Sequence, residues 1–272
     1  MLDLSGQQIA VLGAGGSGLA AAQLCLARGA DVAVYDSGDS AKLSAASVRF
    51  SDLGIKLVVG ESALEPSREF DLTVISPGID LAWPIGRVFE SCSRELIGEI
   101  ELAFRDFDIP IIAITGTNGK TTTTELIATM LRGAGFDVAA AGNIGLAFSK
   151  VALDRPPLDY VVLEVSSFQL ETIARFAPEM AVWMNFAPDH MDRYGSLDDY
   201  RAAKLRIFEN LEDNALAITK LEDGLSVSSP QLTFSAFQDG GDYHYEGGDI
   251  LRAEDGQRLS YSKCQLAGRH NA

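Results

Sequence analysis

Short apolar runs alternate along this chain with Gly-rich turns and with stretches whose apolar positions recur at helical spacing. Gln8-Ile-Ala-Val-Leu12 is a continuous apolar run of the kind buried on both faces of a parallel sheet. Gly13-Ala-Gly-Gly-Ser-Gly18 follows at once, and Leu19 to Arg28 then has the period of a helix. Ala30 to Tyr35 predicts a second strand that ends in Asp36, and Lys56 to Val59 a third. Asp71 to Ser76 predicts another strand, opening into Ser76-Pro77-Gly78, and the unit closes near Gly98. A helical stretch, Glu99 to Phe107, leads into a second series. Its predicted elements are a strand over Ile109–Ile114, a helix over Thr122–Arg132, strands over Val138–Gly142, Asp159–Glu164 and Met180–Met184, and a helix over Leu197–Asn210 that Ser196 or Asp198 would cap. Beyond Leu211 the pattern breaks into short β pieces at Ala215–Thr219, Leu232–Ser235, Asp242–Tyr245, Ile250–Ala253 and Arg258–Tyr261, with Gly240-Gly241 and Gly247-Gly248 between them. Strands alternating with helices predict the α/β class with parallel sheets. The expected division is a Rossmann-like domain over residues 1–98, then a P-loop-type α/β ATPase domain with a small additional β region over residues 99–272. Gly268 to Asn271 has the look of a helix start left unbuilt, which predicts a fragment cut near a domain boundary.

A length of 272 residues suits two domains, and a hydrophobic fraction of 47% supplies ordinary cores. The net charge of −16 speaks against a nucleic-acid partner. It leaves anionic small molecules open, because a glycine loop and a few cations hold phosphate locally. The three cysteines, Cys25, Cys92 and Cys264, lack metal-ligand spacing, and a reducing compartment fits them. Met1 to Gln8 lacks the basic start of a signal peptide, and no apolar run has the length of a membrane span, so a cytoplasmic protein is expected.

Two glycine turns carry the candidate chemistry. Thr115-Gly-Thr-Asn-Gly-Lys-Thr121 stands between a strand and a helix, where backbone N–H groups and the helix N-terminus face a phosphate. Lys120 would add a point charge and Thr121 a hydroxyl for magnesium. The early glycine of the usual P-loop is missing, and Ile114 occupies its place. Gly13 to Gly18, with Asp36 ending the next strand, is a full dinucleotide fingerprint. Taken alone it favours NAD or FAD, and a nicotinamide-dependent oxidoreductase is the alternative reading. Glu164, ending a neighbouring strand, is a candidate magnesium ligand or else a buried-edge carboxylate. Gly142-Asn143 forms a turn that presents Asn143. The loop after Met184 gathers Asp189, His190, Asp192 and Arg193, with His190 either a ligand or a structural histidine. Lys204, near Arg201 and Arg206, reads by pattern as part of a solvated basic face.

Three segments together resemble the Mur ligases of peptidoglycan synthesis: Thr115 to Thr121, Glu164-Val-Ser-Ser-Phe-Gln-Leu-Glu171 and Asp189-His-Met-Asp-Arg-Tyr194. The missing early glycine is that family's form of the loop. The second and third segments, with Tyr200-Arg-Ala-Ala-Lys-Leu-Arg206, are nearest to the member that adds D-glutamate to UDP-N-acetylmuramoyl-L-alanine. The resemblance implies an ATP-dependent ligase working through an acyl phosphate, with two magnesium ions; a monomer with neither a nucleic-acid nor a membrane partner is expected. It implies that Gly116, Thr117, Asn118, Gly119, Lys120, Thr121, Thr122 and Asn271 bind ATP. Gly16, Ser17, Asp36, Ser37, Gly78, Asn143, Ser166 and Gln169 would line the UDP-sugar path. Thr121, Glu164, His190 and a carbamylated Lys204 would hold the metals, with Lys120, Glu164, His190 and Lys204 as the catalytic set. The family's third domain, which closes over ATP and carries most of the D-glutamate site, lies beyond residue 272, so these residues alone are expected to bind the UDP-sugar without completing ligation.

Overall fold

A computed structural model of the chain describes residues 1–261. Cys264, the Gly268–Asn271 helix start and the adenine-site candidate Asn271 lie outside these described residues.

The first sheet is built from β1 (Gln8–Leu12), β2 (Asp31–Asp36), β3 (Lys56–Val59), β4 (Leu72–Ile75) and β5 (Leu96–Gly98), in the order 3-2-1-4-5 and parallel throughout. Helices α1 (Gly16–Ala27), α2 (Ser44–Asp52) and α3 (Pro84–Ser91) cover its faces. β1 pairs with β2 on one side and β4 on the other, so the order reverses at β1 and leaves a crevice at its carboxyl end. The first glycine turn fits there because of one close approach. A Cβ on Gly18 would lie 1.8 Å from the Gly13 carbonyl oxygen, so α1 seats against the turn only with glycine at that position.

α4 (Glu99–Asp106) leads to the second sheet. Its strands are β6 (Ile111–Thr115), β7 (Val138–Gly142), β8 (Tyr160–Glu164), β9 (Met180–Trp183), β10 (Leu216–Lys220), β11 (Gln231–Ser235), β12 (Tyr243–Glu246), β13 (Asp249–Arg252) and β14 (Arg258–Ser260). The order is 14-13-12-11-10-9-6-8-7, parallel from β7 to β12 and antiparallel from β12 to β14. The late β pieces therefore extend the ATPase-type sheet instead of forming a separate one. β6 lies between β8 and β9, with Ile114 opposite Glu164 and Val182. This explains the absent early glycine: residue 114 is a fully buried strand position, and the loop begins after it. The remaining helices are α5 (Lys120–Gly133), α6 (Phe148–Asp154), α7 (Ser167–Leu170) and α8 (Leu197–Leu205). The helix expected over Leu197–Asn210 stops short and tightens into a 3-10 turn at Arg206–Phe208, where Arg206 donates to the carbonyls of Leu170, Glu171 and Ile173. Ser196 is its N-cap, accepting from the Asp199 N–H. No helix of the described residues is long and apolar enough to cross a membrane.

The two sheets share one apolar core. Leu24 and Cys25 of α1, Ile100, Leu102 and Ala103 of α4, and Phe148, Val151 and Ala152 of α6 belong to it together. Burial pushes the Cys25 thiol up to about 12, as for an inert core cysteine. An ion-pair strap closes the same junction. Asp106, its side chain fully buried, accepts two bonds of 2.7 Å from Arg28, one of 2.8 Å from the Leu2 N–H and one of 3.1 Å from Arg155. Burial alone would raise this carboxyl's pKa. Arg28, the Leu2 N–H and Arg155 outweigh burial and hold it below the ordinary value. Asp106→Asn removes the charge opposite the largely buried Arg28 and leaves Arg155 the Asp106 carbonyl, so we expect a loss of about 3 kcal/mol, read from the urea midpoint. Because the folded pKa is depressed, the stabilisation is complete above the unfolded carboxyl value and is lost as pH falls through the folded one. The variant should therefore be less sensitive to acid than the wild type.

Candidate active site

The first glycine turn opens into a cleft of about 540 Å³. Gly13, Gly15, Gly16 and Ser17 form one wall, Asp36, Ser37 and Gly38 another, and Ser76 to Ile79 with Trp83 a third. Asn143, just after β7, and Gln169, in α7, reach in from the second unit. Of the residues predicted for the UDP-sugar path, Gly16, Ser17, Asp36, Ser37, Gly78, Asn143 and Gln169 line this cleft together. Ser166 does not. Its hydroxyl and N–H are spent on a capping box with Gln169 that starts α7. The Asp36 carboxylate already holds the loops, accepting from the Ala14 and Gly38 N–H groups at 2.8 Å each.

The phosphate loop stands at the end of β6. Gly119 has φ of +80°, which a side chain would strain, and so turns the chain into α5. The N–H groups of Thr117 and Asn118 are not available to a ligand, since Asn185 Oδ1 accepts both at 3.1 and 2.9 Å. Asn185 Nδ2 returns a bond to the Asn118 carbonyl. The donors left facing outward are those at the start of α5, Gly119 to Thr122, where the first helical N–H with a backbone partner is that of Thr123. Lys120 Nζ bridges the Gly116 and Thr117 carbonyls at 3.1 Å each, curling over the loop. Thr121 Oγ1 donates to Glu164 Oε2 at 2.8 Å, and Asn143 Nδ2 donates to Glu164 Oε1 at 2.9 Å. Glu164 is thus the buried middle of a chain running from the phosphate loop to the nucleotide-type cleft.

Lys204 is 1% exposed, which corrects the solvated-face reading. Its ammonium donates to the Gly116 carbonyl at 2.8 Å and stands 4.8 Å from the Tyr200 ring centre. Burial first, and then the neighbouring Lys120 charge, lower its pKa to about 7, against a smaller opposite pull from Asp189 and Glu164. Its apparent partners in a basic face have other work: Arg201 donates to the Asp223 carbonyl, and Arg206 caps the turn after α7. His190 is exposed, has φ of +55°, and lies against the Phe168 and Tyr200 rings at 4.9 and 5.9 Å. Tyr200 in turn touches Thr117 Oγ1 at 3.4 Å, which brings the His190 loop, Lys204 and the phosphate loop to one place. Among the described residues, no three His, Cys, Asp or Glu side chains form a ready metal-binding group. The Thr121 hydroxyl and Glu164 carboxylate are oxygen donors of the kind magnesium takes alongside phosphate oxygens. Sequence reasoning missed Asn185 as the brace of the loop and Trp83 as a cleft wall. A polar residue directly after a strand's carboxyl end was the only signal for Asn185.

A family model described as Mur ligase middle domain matches residues 114–272, and one described as Mur ligase MurD-like, N-terminal domain matches residues 7–98. The chain is 36% identical over 278 residues to a protein of Caldanaerobacter subterraneus subsp. tengcongensis and 41% identical over 285 residues to one of Desulfatibacillum aliphaticivorans. Both are named UDP-N-acetylmuramoylalanine–D-glutamate ligase. The alignments cover 99% of this chain but 61% and 62% of the two relatives, so the chain spans about three fifths of their length. Among solved structures it resembles the UDP-N-acetylmuramate:L-alanyl-gamma-D-glutamyl-meso-diaminopimelate ligase of Neisseria meningitides, with a TM-score of 0.62 and 19% identity over 98% of this chain and 90% of that one. That likeness concerns the fold.

Proposed function

Because this chain belongs to the Mur ligase family, we propose that it carries the nucleotide-sugar and ATP sites of a ligase that joins D-glutamate to UDP-N-acetylmuramoyl-L-alanine. Residues 1–98 serve as the UDP-binding domain and 99–272 as the ATP-binding domain of a cytoplasmic, monomeric enzyme. The carrying observation is the hydrogen-bonded chain Thr121–Glu164–Asn143. It joins a phosphate cradle to a cleft sized for a nucleotide, so one substrate reaches from its uridine end in the cleft to its carboxylate beside the loop.

In the reaction the γ-phosphoryl group of ATP passes to the L-alanine carboxylate and ADP leaves. The amine of D-glutamate then attacks the acyl phosphate, and phosphate departs as the amide forms. The N–H groups of Gly119 to Thr122 and the Lys120 ammonium hold the phosphates and oppose the charge that spreads over them in transfer. Thr121 and Glu164 would hold one magnesium ion, and His190 with a carbamylated Lys204 a second. When bound, these ions supply charge neutralisation at the transferring phosphate. Asn143 orients Glu164 and faces the cleft. Asp36 and Ser37 stand where a uracil edge would be read, and Gly16, Ser17 and Gly78 where the diphosphate would lie.

UDP is expected to raise the melting temperature of the 272-residue chain by about 5 °C at a hundredfold excess over its Kd. NADH is expected to leave it unchanged. Calorimetry showing tight NADH binding and no UDP binding would restore the oxidoreductase alternative.

A further inference from the structure

Arg193 lies three residues after His190 and has no place in the ATP, UDP-sugar, metal or catalytic sets above. Its N–H and that of Tyr194 both bond to the His190 carbonyl, at 3.0 and 3.1 Å, so the three residues form one tight turn. His190 sits in the left-handed region within that turn, a conformation the surroundings must hold in place. The Arg193 guanidinium lies 4.1 Å from the Phe168 ring centre, the same ring that carries His190 at 4.9 Å. On one side it donates to Glu171 at 2.7 Å, and the Tyr194 hydroxyl donates to the other oxygen of that carboxylate. On the other side it faces the first unit, with Nη1 3.5 Å from the Pro77 carbonyl and Nε 3.6 Å from Asp80. Pro77 is part of the cleft wall.

We propose that Arg193 is a positioning residue that couples occupancy of the cleft to the placing of His190, an inference that rests on the cleft being the UDP-sugar site. Its two sides are unequal. The Glu171 side is a short charge-assisted bond, and the Pro77–Asp80 side is at the limit of hydrogen bonding. A ligand seated on the Pro77–Gly78 turn therefore acts on the loose side. Motion there passes through a planar, stacked group to the Phe168 ring and the His190 turn. Behind the guanidinium runs a narrow seam in which Ser76 Oγ and Glu99 Oε2 are buried without partners, so a small shift of the junction breaks no bond at either atom. A residue that merely tied down the loop would hold His190 equally well with the cleft empty or filled.

The test uses the 272-residue chain, UDP as the probe, and the imidazole carbon–proton NMR signals of its histidines, which are His190, His244 and His270. His190→Asn identifies the relevant signal. In the wild type, UDP should move the His190 signal. In Arg193→Met, which keeps the stem and loses the guanidinium, the UDP Kd should stay within threefold while the shift falls below a third of its wild-type size. An undiminished shift in Arg193→Met overturns the coupling. Should that variant fail to fold, Asp80→Asn decides by the same criterion, since it loosens only the first-unit side. Failure of UDP to bind the wild type in calorimetry would instead remove the UDP reading of the cleft, and the coupling with it.

Discussion

Lys120→Ala, in a protein extending to the relatives' full length, is expected to lower D-glutamate-dependent ADP release by on the order of 10²–10³-fold, the loss that follows removal of one preorganised group aimed at developing charge. The argument starts from the loop's own bonds. With Thr117 and Asn118 N–H groups tied to Asn185, the outward-facing donors are four backbone amides and one ammonium. Only the ammonium carries a full charge, and its stem starts at the first residue of α5. This ammonium donates to the Gly116 and Thr117 carbonyls, acceptors that a phosphate oxygen can replace without unfolding anything. The cleft proposed for UDP does not include Lys120, so the UDP Kd should remain within twofold of wild type. That split is the informative part. A nucleotide-binding module without catalysis would lose ATP affinity alone, and turnover at saturating ATP would be unchanged.

The elements were legible because their signals are local. The buried run Gln8–Leu12, the glycine turn after it and the Gly-Lys-Thr loop each declare themselves within ten residues, and the structure places them as strand, turn and helix start. Lys204 was illegible to pattern for the opposite reason. Its ammonium is met by the carbonyl of Gly116, 88 residues earlier, which leaves no trace in the spacing around Arg201 and Arg206; the Tyr200 ring, one helical turn before it, gives no sign of burial by itself. Only the family resemblance pointed to it. Ser166, expected on the ligand path, also has the Ser-x-x-Gln spacing of a capping box, and the structure shows that box at the start of α7. Asn185, Arg193 and Asp106 act through partners in distant elements, and their roles appear once the sheets bring those elements together.

Stripping dissolved carbon dioxide from the full-length protein should abolish most of its ligase activity, and bicarbonate should restore it, with Lys204→Arg inactive under both conditions. The basis is the place the amine occupies. It is buried, it stands beside the phosphate loop, and as a cation it faces Lys120, so its neutral form is favoured down to about pH 7. A neutral amine attacks carbon dioxide; the new N–C bond releases a proton and leaves a carbamate with one negative charge. Lys120 then faces an anion where a like charge stood, and the site gains oxygen donors of the kind a magnesium ion takes. The sign with pH follows. Acid protonates the amine and returns carbon dioxide, so the carbon-13 carbamate signal formed from labelled bicarbonate should weaken as pH falls from 8 to 6. Arginine cannot supply the amine, since its guanidinium stays protonated. A wild-type protein that keeps its full rate in carbon dioxide-free buffer, with no carbamate signal at pH 8, would show that the Lys204 amine serves without carbamylation.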